Sequence, residues 1–163
     1  MYIREIFDFE YDDVIDLIYN SVHTVCKNDY TASELNAWAP EKFNKKKFLE
    51  AMQDCFNFVA VEKGEVVGFV SAEKDGYINR LYTHRDFLNM GIASRLLLKV
   101  EHYLYDRGVY NLSLDSSVTA IGFYSKKGFS PSGVSVMKKD GVVFRNTVMK
   151  KDISGGVFDD KYE

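Results

Sequence analysis

The run Tyr77-Ile78-Asn79-Arg80-Leu81-Tyr82-Thr83, followed by Leu88-Asn89-Met90-Gly91-Ile92-Ala93-Ser94 and then by a helical apolar stripe, decides how this chain folds. The first seven residues read as a strand. The stripe Ala93, Leu96, Leu97, Val100 and Leu104 reads as a helix over 90–107, with Gly108 as its stop. Gly91 and Ala93 are small and fall where that helix starts. The first N–H groups of a helix have no intrahelical partner, and no bulky side chain covers them here. The helix dipole adds roughly half a positive charge at the same end, which suits a phosphate or pyrophosphate. The expected ligand is therefore phosphorylated.

Upstream, residues 2–7 alternate well enough for a first strand. A helix follows, with Val14, Leu17, Ile18 and Val22 at helical spacing behind Asp12 and Asp13. Residues 31–52 read as one or two further helices, capped at Thr31 or Ser33 and broken at Ala39-Pro40. Strands over 56–62 and 66–73 flank the turn Lys63-Gly64-Glu65, and Lys74-Asp75-Gly76 leads into 77–83, so three strands form an antiparallel meander. Downstream, a parallel crossover through the helix reaches a strand at 111–114. Ser116 or Ser117 then caps a short helix to Lys127 that ends at Gly128, and two last strands, 130–138 and 142–151, flank Lys139-Asp140-Gly141. The order is β-α-α-β-β-β-α-β-α-β-β. It predicts an α+β fold: a mixed, mostly antiparallel sheet of about seven strands with helices on both faces. One domain is expected over 1–153, with a flexible tail over 154–163 that frays.

Composition bounds the function. Of 163 residues, 46% are apolar and 15% aromatic, enough for a real core, and the longest apolar runs fall well short of the ~20 residues a bilayer span needs. The start Met1-Tyr2-Ile3-Arg4-Glu5-Ile6 lacks a cationic then apolar layout, so the expected location is the cytoplasm, away from membranes. A net charge of −3 weighs against nucleic acid as a partner. Cys26 and Cys55 have neither CxxC spacing nor nearby His ligands and read as reduced, buried thiols; no metal site is expected. Residues 1–41 hold nine acids against two bases, Arg4 and Lys27. That run reads either as a solvated acidic helix face or as a mouth that attracts cations.

On these residues the chain resembles the GNAT superfamily of acetyl-CoA-dependent N-acetyltransferases. The resemblance covers nearly the whole element order. It is sharpest at Leu81-Tyr82-Thr83, at 88–94 and at Ala120-Ile121-Gly122-Phe123-Tyr124-Ser125-Lys126-Lys127-Gly128-Phe129. The family pattern Q-x-x-G-x-G/A falls on Leu88-Asn89-Met90-Gly91-Ile92-Ala93. Leu88 stands in place of the Gln, and Asn89 in place of a glycine common among relatives; Asn tolerates left-handed backbone angles better than other non-glycine residues. Tyr30 to Pro40, with Trp38-Ala39-Pro40, is similar to a small bacterial branch of the family.

The resemblance implies acetyl-CoA as cosubstrate, in a cleft where strand 77–83 splays from strand 111–114. It implies that main-chain groups of Leu81, Tyr82 and Thr83 pair with the pantetheine arm, one N–H near Tyr82 polarising the thioester carbonyl. The pyrophosphate then rests on the turn Leu88, Asn89, Met90, Gly91, Ile92, Ala93 and Ser94. Ser117 either contacts the pantetheine arm or caps a helix. Tyr124 is implied as the catalytic side chain, its hydroxyl facing the departing thiolate. Lys126, Lys127, Arg95 and Lys99 could meet the 3′-phosphate. The base is open among Glu73, Glu34 and His84, since Tyr77 stands where some relatives carry Glu. Trp38, Tyr30 and Phe43 could line the acceptor pocket or pack the core. With the acidic first third they suggest a small, cationic primary amine as acceptor. The alternative function is a non-catalytic acyl-CoA-binding or interaction module on the same fold. A Rossmann nucleotide site fails on topology, because its glycine motif follows the first strand. A monomer and a homodimer both stay open.

Overall fold

In the computed structural model, which describes residues 1–157, seven strands divide into two sheets. The first holds β1 (Tyr2–Glu5), β2 (Cys55–Glu62), β3 (Glu65–Glu73) and β4 (Ile78–Thr83), paired antiparallel in that order. The second holds β5 (Asn111–Ser116), β7 (Val142–Asp152) and β6 (Ser130–Lys139), with β7 in the middle. Between β1 and β2 lie three helices, α1 (Tyr11–Val25), α2 (Ala32–Trp38) and α3 (Lys45–Met52). The stretch 31–52 is thus two helices, divided where Ala39-Pro40 stops the first. Thr31 is the cap of α2, bonded to the Glu34 N–H at 3.2 Å while Glu34 returns a carboxylate to the Thr31 N–H at 3.0 Å. The remaining helices are α4 (Ile92–Tyr105) and α5 (Ile121–Lys126).

The sheets meet at one end only. Tyr77 forms a parallel bridge with Ser113, and the Ser113 N–H donates to Gly76 O at 3.1 Å. Just beyond, Ser71 faces Arg80 while Ala72 faces Ile78, so Asn79 is an extra residue, a bulge in β4. From there Arg80 to Thr83 follow β3 and leave β5. The crossover β4-α4-β5 expected from the sequence is present, but its strands meet only through Tyr77, just ahead of β4, and Ser113 in β5.

Helices cover both faces of the first sheet. On one, α1, α2 and α3 bring Val14, Ile18, Val22, Leu35, Phe48 and Met52 against Val59, Val61 and Phe69. On the other, α4 lays Ile92, Leu96, Leu97, Val100 and Leu104 on Phe58, Ala60, Val70 and Ala72, and also on Leu112 and Leu114 of β5. α4 therefore fastens the two sheets together across the split. The buried stripe starts at Ile92 rather than at the expected Ala93, which is half-exposed. Glu101 also lies in it, 3% exposed and paired with Lys151 Nζ at 2.8 Å. At the other end of the chain, Ser154 to Val157 are held by a Ser154 N–H to Asp152 bond and by Val157 against the core. Residues 158–163 of the expected tail lie outside the described residues. Among the described residues no helix is long and apolar enough to cross a membrane.

Gly68 sets how close α4 lies to β3. A Cβ there would stand 2.7 Å from Ile92 Cγ2 and 2.8 Å from Leu96 Cδ1, and Ile92 is β-branched and cannot rotate away cheaply. Gly68→Ala is expected to lower stability by about 1–3 kcal/mol in denaturant titration by forcing the first turn of α4 off the sheet. Unchanged stability would contradict that packing.

Candidate functional site

A cavity of about 670 Å³ opens in the split between β4 and β5. One wall is β4 beyond the bulge. Thr83, Tyr82 and Leu81 pair with Gly68, Phe69 and Val70 on β3, while their other edge has no strand beside it past Tyr77, among the described residues. Main-chain donors and acceptors on that edge are available to an extended ligand.

The second wall is the turn into α4. Asn89 at φ 60° and Gly91 at φ 76° both take left-handed angles. Gly91 is the N-cap, with no side chain to cap the helix, so the first-turn N–H groups of Ile92, Ala93 and Ser94 meet no capping side chain beside the cavity those residues line. The stretch carries an N-terminal dipole charge, unopposed by any acid in its first turn. Leu88, Asn89, Gly91, Ile92, Ala93 and Ser94 line the cavity. Met90 does not; its side chain is 64% exposed to solvent.

The third wall comes from the end of β5 and from α5. Ser117 lines the cavity and makes no side-chain cap bond. The Val118 N–H beside it donates to the Tyr30 hydroxyl at 2.9 Å. Tyr124 is 8% exposed, wedged edge-on between Phe123 and Phe129. Burial, with Tyr82 and Tyr77 nearby, holds its pKa above the usual phenol value.

Of the aromatic residues expected at the acceptor side, Trp38 lines the cavity and donates from Nε1 to the Tyr82 hydroxyl at 3.0 Å. Tyr30 stacks edge-on against Trp38, and Phe43 packs on Phe48 in the core. The three base candidates are elsewhere. Glu34 is held in the α2 capping box, Glu73 is exposed at the end of β3, and His84 Nδ1 accepts from the Asp86 N–H at 3.2 Å. Among the described residues the carboxylate that lines the cavity is Asp115, which accepts from the Tyr77 hydroxyl at 3.0 Å. Arg80 lines it too. Neither residue stood out in the sequence. The alternation Leu112 and Leu114 inward against Ser113 and Asp115 outward was the available signal for Asp115, had the strand been read past 114.

None of the nine acids in residues 1–41 lines the cavity. Glu10 binds Arg4, Asp12 binds Lys45, and Asp29 accepts from Thr119 Oγ1. Cys26 does line it, and burial pushes its thiol pKa up, which makes it a poor nucleophile.

The residues fit a coenzyme with a diphosphate and an amide-bearing arm. Besides the uncapped helix start and the open strand edge, two cavity-lining residues hold buried polar atoms, Asn79 Oδ1 and Thr83 Oγ1, with no hydrogen-bond partner among the described residues.

The family model described as an acetyltransferase (GNAT) domain matches residues 26–153. Among solved structures, a protein from Rhodopseudomonas palustris described as a GCN5-related N-acetyltransferase and class-II aminotransferase superposes with a TM-score of 0.89. It is 24% identical over 93% of this chain and 94% of that one. The PaiA N-acetyltransferase of Thermoplasma acidophilum, solved in complex with coenzyme A, gives 0.74 at 21% identity over 93% and 98% of the two chains. A ribosomal-protein-alanine N-acetyltransferase from Brucella melitensis gives 0.71 at 18% identity over 93% and 99%. No curated protein matches the sequence.

The buried phenols give a pH signature. A group whose folded pKa is raised contributes stability that is complete below its unfolded value, near 10, and is lost as pH rises through the folded value. Tyr124, Tyr82 and Tyr77 are all of this kind. Stability should therefore fall as pH climbs past about 10, and Tyr124→Phe should flatten that fall without abolishing it. An equal slope in wild type and variant, by thermal melting at stepped pH, would contradict the burial of this hydroxyl.

Proposed function

The chain belongs to the GNAT acetyltransferase family, and from that premise we propose that it moves the acetyl group of acetyl-CoA to the primary amine of a small acceptor by direct attack. The observation that carries this reading is that the uncapped start of α4, the open edge of β4 and Tyr124 all border one cavity. We read residues 1–153 as one acetyltransferase domain.

In this reading the N–H groups of Asn89 to Ser94 hold the diphosphate, with Met90 contributing main chain only. Leu81, Tyr82 and Thr83 hold the pantetheine arm by strand-like bonds, Ser117 and Leu88 bounding it. An N–H of β4 near Tyr82 donates to the thioester oxygen as negative charge develops there. The amine nitrogen bonds to the carbonyl carbon, the carbon–sulfur bond breaks, and the sulfur leaves as thiolate. Tyr124 donates a hydrogen bond to that thiolate. Because burial keeps the phenol above its ordinary pKa, it holds its proton at neutral pH and acts as a donor, while the thiolate's final proton comes from solvent.

Asp115 receives the amine's proton, directly or through water. It is the carboxylate that lines the cavity, and the phenol of Tyr77 fixes its orientation. Tyr77 itself is no base, since burial and Asp115 hold its pKa up.

The cationic character expected of the acceptor rested on the acidic first third of the chain. None of those acids lines the cavity, so that ground for a cationic acceptor is lost.

Two variants test the reading by thiol release with acetyl-CoA and an amine panel. Tyr124→Phe should lower kcat by about 10²-fold with little change in the acetyl-CoA KM. Retained turnover would contradict the assigned role. Asp115→Asn should lower kcat/KM by about 10²-fold or more at neutral pH and recover as pH rises and the amine deprotonates unaided. A pH-independent deficit would remove Asp115 as the proton's destination.

A further inference from the structure

On the face of β4 turned toward α1, α2 and α3, the cavity carries a cation that forms no ion pair among the described residues. Arg80 follows the Asn79 bulge by one residue and lines the cavity, with its guanidinium 5.1 Å from the centre of the Phe48 ring. It is half-buried and forms no ion pair with a carboxylate among the described residues. A half-buried guanidinium that rests on an aromatic ring and borders a cavity is placed to take an anion entering that cavity.

The surroundings reinforce that positive charge. Lys139, at the tip of the β6–β7 hairpin, donates to Trp38 O at 3.1 Å. Burial holds its pKa below the usual value; Asp140 opposes that, and the nearby cations Lys47 and Arg80 add to it. A second ammonium brought here would face this field. Asp115 lines the same cavity, so a guanidinium and a carboxylate both border it. Arg80 precedes Tyr82 by two residues, about 7 Å along a strand. An anion on Arg80 and an amine at the thioester would thus belong to one small molecule.

We infer that the acceptor is a small amine that also carries an oxyanion, its anionic group paired with Arg80 and its ammonium met by Asp115, as in an amino acid or an amino phosphate. This rests on the acetyl-transfer reading above. A guanidinium edge takes a carboxylate or a phosphate through two parallel N–H bonds, so the two sources share one chemistry and are separated by experiment.

The test is kcat/KM for matched pairs: L-amino acids against their carboxamides, O-phosphoethanolamine against ethanolamine, and putrescine as a purely cationic amine. The expected result is an advantage of about 10- to 100-fold for the anionic member of at least one pair, the pair naming the oxyanion. Arg80→Gln should erase that ratio through the acceptor KM rather than kcat. Arg80→Lys, which keeps the charge and loses the fork, should fall between. Preference for putrescine, or a ratio that Arg80→Gln leaves intact in folded protein, overturns the inference while acetyl transfer stands. Failure of every amine to release thiol from bound acetyl-CoA removes the transfer reading and this inference with it.

Discussion

The slip of one residue at Asn79 is the constraint on which the working parts of this molecule depend. Had β4 continued in register with β5, a single sheet would have formed and its edge groups would have been used up in a ladder. Instead the parallel pairing stops at Tyr77 and Ser113, and four residues of β4 turn away with one edge open. A gap between strands exposes apolar surface and unpaired amides, both costly. α4 offsets the cost by spanning the gap on one face, its Leu96, Leu97 and Val100 reaching both sheets, and Gly68 lets it lie close.

Packing and chemistry are joined in α4. The helix is anchored by an apolar stripe, so its axis cannot swing, and its N-terminus is aimed at the mouth of the gap. Ile92 faces the core while Ala93 and Ser94 border the cavity. On the other face, the α1–α2 connection reaches across to the β5–α5 turn through the Tyr30 hydroxyl and the Asp29 carboxylate. The cavity is thereby divided chemically. Main-chain donors and Tyr124 lie toward α4 and α5, and Trp38, Arg80 and Asp115 lie toward the three N-terminal helices.

Features of short range were legible in the sequence. The turn at Gly91, the meander before it and Tyr124 in its short helix depend on local backbone rules and apolar spacing, which one strand of text records. What failed to read were partners in space. Nine acids counted along residues 1–41 look like a field, but Arg4, Lys45 and the α2 cap consume three of them, and none reaches the cavity. Glu34 and His84 looked like bases and prove to hold backbone N–H groups. Asp115 falls beyond the expected strand 111–114, which the structure extends by two residues to Ser116, and for Arg80 a charge inside a strand gives no local sign of which wall it will join.

The central claim is that bare main-chain donors at the α4 start, rather than side chains, grip a diphosphate. Calorimetric titration with coenzyme A and with pantetheine, which shares the arm but lacks the diphosphate, tests it most directly. The account expects coenzyme A to bind at least about 10²-fold more tightly than pantetheine, several charge-assisted N–H bonds being at stake. Equal affinities for the two, or no uptake of coenzyme A, would contradict it.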